Sequence, residues 1–162
     1  MLAGVGEEAV MRNLALAPWP YGIADVCALA ALAQDPRRPH FLITVPGTGV
    51  IGAVGLAVPG SAPADEPELG YWIARDHWGQ GYATEAAGAL LQIAQALGHR
   101  RVIARHFADN PASGKVLRKL GFLPTGRTGL RYSAGRGHAA ESIEYARDLA
   151  ADSDPTPFAR AA

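Results

Sequence analysis

A mixed α/β domain is predicted by three features of the sequence. Apolar runs flank Pro46-Gly47-Thr48-Gly49, a strand, glycine turn, helix and strand follow one another from Glu68 to Phe107, and two strand-like runs come after Gly121. Phe41 to Val45 and Val50 to Val58 surround a turn of hairpin composition, so they pair antiparallel. Upstream, Asp25 to Gln34 reads as a short apolar helix ended by Asp35-Pro36, because the residue before a proline is pushed out of the helical region. Strand-like alternation starts near Arg12 to Leu16, which leaves residues 1–10 as a flexible tail. Glu68 to Ala74 is a strand, and a helix runs from Gly81 to about Leu97. There Ala83, Ala86, Ala87, Leu90, Leu91, Ala94 and Leu97 recur at helical steps and form a small-residue face that can lie close on a sheet. Gly98 ends this helix, and Arg101 to Phe107 returns as a strand parallel to the first, because a helical crossover separates them. Asn110-Pro111 opens a second helix with a side-chain cap and a proline in the first turn, and Gly121 closes it. Phe122 to Arg127 and Glu141 to Leu149 are the closing strands around a glycine-rich bend. Residues 151–162 form a second tail, so one domain spans 11–150.

Composition narrows the function classes. With 162 residues and 49% apolar content, the chain can bury a core without metal or disulfide support. Lysine plus arginine equals aspartate plus glutamate at 15 each, so no overall field favours nucleic acid or an anionic membrane, and any anion site must be local. No apolar run approaches the roughly 20 residues of a membrane helix. Glu7 and Glu8 interrupt any leader-like stretch, so the expected compartment is the cytoplasm. Cys27, the single cysteine, sits in an apolar run and reads as a small buried hydrophobe. The histidines at 40, 77, 99, 106 and 138 lack the short paired spacing of a metal site, so no metal is expected.

The chemistry concentrates at Gly79-Gln80-Gly81-Tyr82-Ala83-Thr84. A glycine turn entering a helix exposes backbone N–H groups at the positive helix end, which is suited to a phosphate; an ordinary strand-to-helix turn is the other reading. A P-loop would need Lys and then Ser or Thr after its last glycine, where Tyr82-Ala83 stands. A dinucleotide fingerprint would need glycine in place of Thr84 and an acidic residue where His99-Arg100-Arg101 stands.

Glu68-Leu69-Gly70-Tyr71-Trp72-Ile73 followed by Trp78-Gly79-Gln80-Gly81-Tyr82-Ala83-Thr84-Glu85-Ala86 resembles the cofactor segment of the GNAT acetyltransferases. The general pattern is Gln or Arg, two residues, Gly, one residue, then Gly or Ala. Gly81 and Ala83 match it, and Trp78 departs from it as in the RimJ/RimL-like branch. A second block, Asn110-Pro111-Ala112-Ser113 through Lys119-Leu120-Gly121-Phe122, is similar to that branch's second signature.

This resemblance implies the GNAT fold, a mixed and mostly antiparallel sheet whose central parallel strands splay apart, with flanking helices. It implies acetyl-CoA as donor and a primary amine as acceptor, either a peptide N-terminus or a small molecule, and it leaves a homodimer open. The backbone of Trp72, Ile73 and Ala74 would bond the pantetheine arm, and the loop Gly79, Gln80, Gly81, Tyr82, Ala83 and Thr84 would hold the pyrophosphate. Asn110 would touch the pantetheine, cap its helix, or do both. Glu68 is the candidate general base, the alternative being a solvated strand end. Leu117 stands where many relatives place an acid tyrosine, so Ser113 becomes the candidate donor to the departing thiolate, the alternative being a polar first-turn residue. A non-catalytic acyl-CoA sensor is the competing function.

Overall fold

The structure, a computed structural model, describes residues 7–15, 17, 35–57 and 66–150. A single helical turn, α1 (Glu8–Met11), lies ahead of the sheet, with Val10 and Met11 buried. Residues 7–10 are therefore not tail, and residues 12–15 turn rather than extend. The Asn13 side chain donates to the Ala9 carbonyl at 2.9 Å, and the Leu14 N–H reaches Met11 at 2.9 Å. The reason is tertiary: Gly135 packs so closely on the Met11 backbone that no Cβ would fit there. Arg12 and Arg136 both bind Asp109, tying α1 to the far end of the sheet. The Arg136 hydrogen bonds, with help from Arg12, hold the Asp109 carboxyl below the usual carboxylate range. The expected helix Asp25 to Gln34, Cys27, residues 58–65 and the second tail lie outside the described residues.

β1 (His40–Val45) returns as β2 (Gly49–Ala57) through the expected turn, whose Thr48 N–H bonds the Val45 carbonyl at 3.1 Å. β2 pairs antiparallel with β3 (Glu68–Ile73) along six residue pairs. A 3-10 turn at Arg75–His77 leads into α2 (Tyr82–Ala96), which buries Ala87, Leu90, Leu91 and Ala94, the small-residue face seen in the sequence. β4 (Arg101–Phe107), α3 (Pro111–Lys119), β5 (Leu123–Ser133) and β6 (His138–Asp148) complete a six-stranded sheet of order β1-β2-β3-β4-β6-β5.

β3 and β4 are the parallel neighbours, and they are paired only at Glu68–Ile103 and Leu69–Ala104. Beyond Leu69 the two strands separate and open the sheet. The α2 and α3 side of the sheet carries the core, where Val54, Leu56, Leu69, Val102, Ala104 and Tyr145 meet Leu90, Leu117 and Phe122. The closing strands are longer than expected, because Gly126 and Gly129 lie within β5 and the bend shrinks to residues 134–137. β5 is an edge strand with a mostly exposed surface, so neither apolar alternation nor a turn signal marks its extent.

Candidate active site

Backbone phase determines which amides face the opening between β3 and β4. The Ala74 N–H donates to the Ile51 carbonyl at 2.7 Å, so by antiparallel alternation Trp72 and Gly70 also bond β2, while Tyr71 and Ile73 turn toward the gap. On β4, bonds from Leu149 to Arg100 and from Ala108 to Glu141 direct the even-numbered residues to β6 and leave Arg105 and Phe107 facing the gap. The Trp78 indole donates to the Ile73 carbonyl at 2.7 Å. What remains on the β3 side is the Tyr71 N–H and carbonyl and the Ile73 N–H. Of the three backbone positions named from the sequence, only Ile73 faces the opening, and Tyr71 joins it. Strand phase depends on partners, and the segment's side chains carry no sign of it.

At the end of the gap sits the glycine turn. Gly79 has φ +76° and Gly81 φ +90°, left-handed values that favour glycine, and nothing lies within 4 Å of where a Cβ would project. Gly81 is the N-cap of α2 and supplies no side-chain cap, and the first intrahelical donor is Glu85, to the Gly81 carbonyl at 3.0 Å. The N–H groups of Tyr82, Ala83 and Thr84 are therefore without helical partners, at the positive end of a four-turn helix. Gln80 turns its amide back to the Asp76 carbonyl at 3.1 Å. α3 is built differently: Asn110 Oδ1 accepts from the Ser113 N–H at 3.3 Å and Pro111 fills the first turn, so the expected cap is present. A cleft of about 1910 Å³ joins the loop residues Gly79, Gly81 and Thr84 to Asn110, Ser113 and Glu68.

Glu68 is neither solvated nor alone. It is 8% exposed, its Oε2 accepts from Arg105 Nη1 at 2.7 Å, and its Oε1 accepts from Arg131. Arg105 also binds Glu144, whose Oε1 accepts from Thr125 at 3.2 Å. The four charges alternate in sign across β3, β4, β6 and β5, on the sheet face away from α2. Arg105 follows the apolar run Val102-Ile103-Ala104 on β4, and nothing in the sequence names its partners. A carboxylate with a guanidinium at each oxygen suits anchoring these strands better than accepting a proton. Glu68→Gln is expected to cost about 2–3 kcal/mol in urea denaturation, since it leaves two half-buried arginines short of charge. Its pH–rate profile should run parallel to that of the wild type. Rescue of the variant at high pH would instead assign Glu68 the role of base.

Ser113 Oγ lies 2.7 Å from Tyr71 Oη, which is also 3.2 Å from the Ser113 carbonyl as a donor. Burial pushes the Tyr71 phenol up to about 12, with the Ser113 hydrogen bond pulling the other way, so it stays protonated at neutral pH. Tyr71 alternates with Gly70 and Trp72 onto the side of β3 that meets α3, and no local signal in the sequence marks its partner 42 residues away. Among the described residues no group of His, Cys, Asp and Glu is arranged to hold a metal ion, and no helix is long and apolar enough to cross a membrane.

A sheet opened between parallel strands beside an uncapped helix start leaves room for an extended ligand with an anionic end, and the chain belongs to the acetyltransferase (GNAT) domain family, whose model matches residues 2–123. An uncharacterised N-acetyltransferase of Bacillus subtilis, YoaA, is 33% identical over 64% of this chain and 59% of its own length. The ribosomal-protein-serine acetyltransferase of Escherichia coli is 38% identical over 36% of this chain and 34% of its own. The chain thus spans about three-fifths or less of the curated relatives it matches. An N-acetyltransferase structure from Staphylococcus aureus Mu50 superposes with a TM-score of 0.75 at 24% identity, covering 91% of this chain and 90% of that one, and so shares its fold.

Proposed function

We propose that this chain is an acetyl-CoA-dependent N-acetyltransferase that moves an acetyl group to a primary amine, either a protein N-terminus or a small amine. The observation that carries this reading is the uncapped start of α2, with its left-handed glycines, placed beside the Tyr71 N–H and carbonyl and the Ile73 N–H, which face the gap. Those groups suit a pyrophosphate and a pantetheine arm, respectively. The second block and the partial likeness to the ribosomal-protein-serine acetyltransferase support the RimJ/RimL-like branch.

Acetyl-CoA supplies an activated thioester carbonyl. The N–H groups of Tyr82, Ala83 and Thr84, reached past Gly79 and Gly81, hold the diphosphate, and Asn110 offers its amide nitrogen to the arm while its oxygen caps α3. The Ile73 N–H is aimed into the gap, where it can polarise a carbonyl. The amine nitrogen attacks, the carbon–sulfur bond breaks with its electron pair on sulfur, and Ser113 steadies that sulfur by hydrogen bonding. Water in the cleft takes the amine proton, because both Glu68 oxygens are held by arginine.

An acetyl-CoA-coupled screen of amines and N-terminal peptides, read as CoA thiol release, tests the proposal. Release that depends on an amine supports it. The ion-paired Glu68 favours one competitor, a sensor that binds acyl-CoA without turning it over, and binding with no release for any amine would select that reading. Ser113→Ala is expected to lower turnover about tenfold while leaving acetyl-CoA affinity nearly intact. Steady-state kinetics beside calorimetry would check this, and equal turnover would return Ser113 to a polar turn of α3.

A further inference from the structure

The proposed chemistry uses Ser113 but assigns nothing to the side chain that touches it. Tyr71 projects from β3 toward α3, and its ring packs at the edge of the core. Its hydroxyl reaches two atoms of one residue: Ser113 Oγ at 2.7 Å and the Ser113 carbonyl at 3.2 Å. Two hydrogen-bond arrangements are therefore available. In one, Tyr71 donates to the carbonyl and Ser113 gives its proton to Tyr71, which turns the serine proton away from the cleft. In the other, Tyr71 donates to Ser113 Oγ, and the serine proton is free for another acceptor. Both residues line the cleft that holds the glycine turn.

We propose that Tyr71 is a positioning residue, donating to Ser113 Oγ so that the serine proton is directed at the sulfur of the bound thioester and of the thiolate that leaves. This rests on the acetyltransferase reading above and deepens it. The pair works by hydrogen bonding and transfers no proton. A phenol pushed up to about 12 is a weaker acid than an alkyl thiol, so it does not protonate the departing thiolate and Tyr71 remains a donor throughout. The sulfur leaves as an anion stabilised by Ser113, and it gains its proton from water afterwards. The arrangement also accounts for a site with Leu117 in place of an acidic tyrosine.

The test needs no acceptor. Calorimetry of CoA binding between about pH 7 and 9 reports how well the site prefers the thiolate. If Ser113 donates to sulfur, the bound thiol ionises more readily than the free one, and affinity rises as pH climbs toward the pKa of the free thiol. Acetyl-CoA has no thiol and should show no such rise. Tyr71→Phe and Ser113→Ala are each expected to flatten the CoA rise, the double variant to flatten it no further, and Ser113→Thr to retain it. A Tyr71→Phe protein with the wild-type rise, or two losses that simply add, would overturn the proposal. If Tyr71→Phe does not fold, a loss of the rise in Ser113→Thr would do the same. Wild type that binds neither CoA nor acetyl-CoA would overturn the acetyltransferase reading itself. Wild type that binds both with no difference in pH dependence would overturn the Tyr71 role alone.

Discussion

Gly81→Asp is expected to raise the Kd for acetyl-CoA at least tenfold, about 1.4 kcal/mol, as read by calorimetry on folded protein. Three effects act in the same direction. Gly81 sits at φ +90°, where a side chain costs roughly 1 kcal/mol, so the turn is pushed away from the shape that aims its amides. A carboxylate placed there adds a negative charge where the diphosphate belongs. It can also cap α2 itself and take N–H groups that are now open. The cap makes the experiment selective, since it offsets part of the strain, so affinity should fall much more than stability. Unchanged affinity in a folded variant would remove the phosphate site from the start of α2.

Phe122→Ala is expected to destabilise the protein by about 3–5 kcal/mol, measured by urea or thermal denaturation. Phe122 is 1% exposed and packs in the main core. It is also the residue that closes α3: its N–H bonds the Leu117 carbonyl at 3.0 Å, Gly121 at φ +78° bonds Arg118 at 3.0 Å, and Arg147 covers the Leu120 carbonyl at 2.7 Å. This is a helix stop in which a left-handed glycine precedes an apolar plug. Deleting the ring opens a cavity between α3 and the sheet. It also loosens the element that carries Asn110 and Ser113, so activity should be lost with stability rather than before it. A loss below about 1 kcal/mol would mean that the core collapses readily around the missing ring.

Much of the architecture was legible because its signals are local. The small-residue period of α2, the Asn110-Pro111 start, the Gly98 and Gly121 stops and the hairpin at Pro46 to Gly49 each depend on neighbouring residues alone, and each appears in the structure. The glycine turn belongs with them, because a left-handed backbone at a helix start is a property of residue type. α1 was not legible: two buried residues, Val10 and Met11, are too short a pattern to stand out, and they are buried by a turn more than 120 residues away in the chain. The length of β5 was hidden for a related reason, since an exposed edge strand places few demands on its side chains.

The site divides along the same line. The sequence alone determined where a phosphate could lie and which residues start the two helices beside it, since these follow from glycine conformations and capping over a few residues. Tertiary structure alone decided that Tyr71 and Ile73, rather than Trp72 and Ala74, face the gap, because the phase of a strand is set by its hydrogen-bonded neighbour, here Ile51 of β2. It likewise placed Arg105 and Arg131 on Glu68 and Tyr71 on Ser113, partners 37, 63 and 42 residues apart. An isolated carboxylate on a strand reads as a base or a solvated end. Whether it accepts protons or anchors strands depends on charges that only folding brings to it.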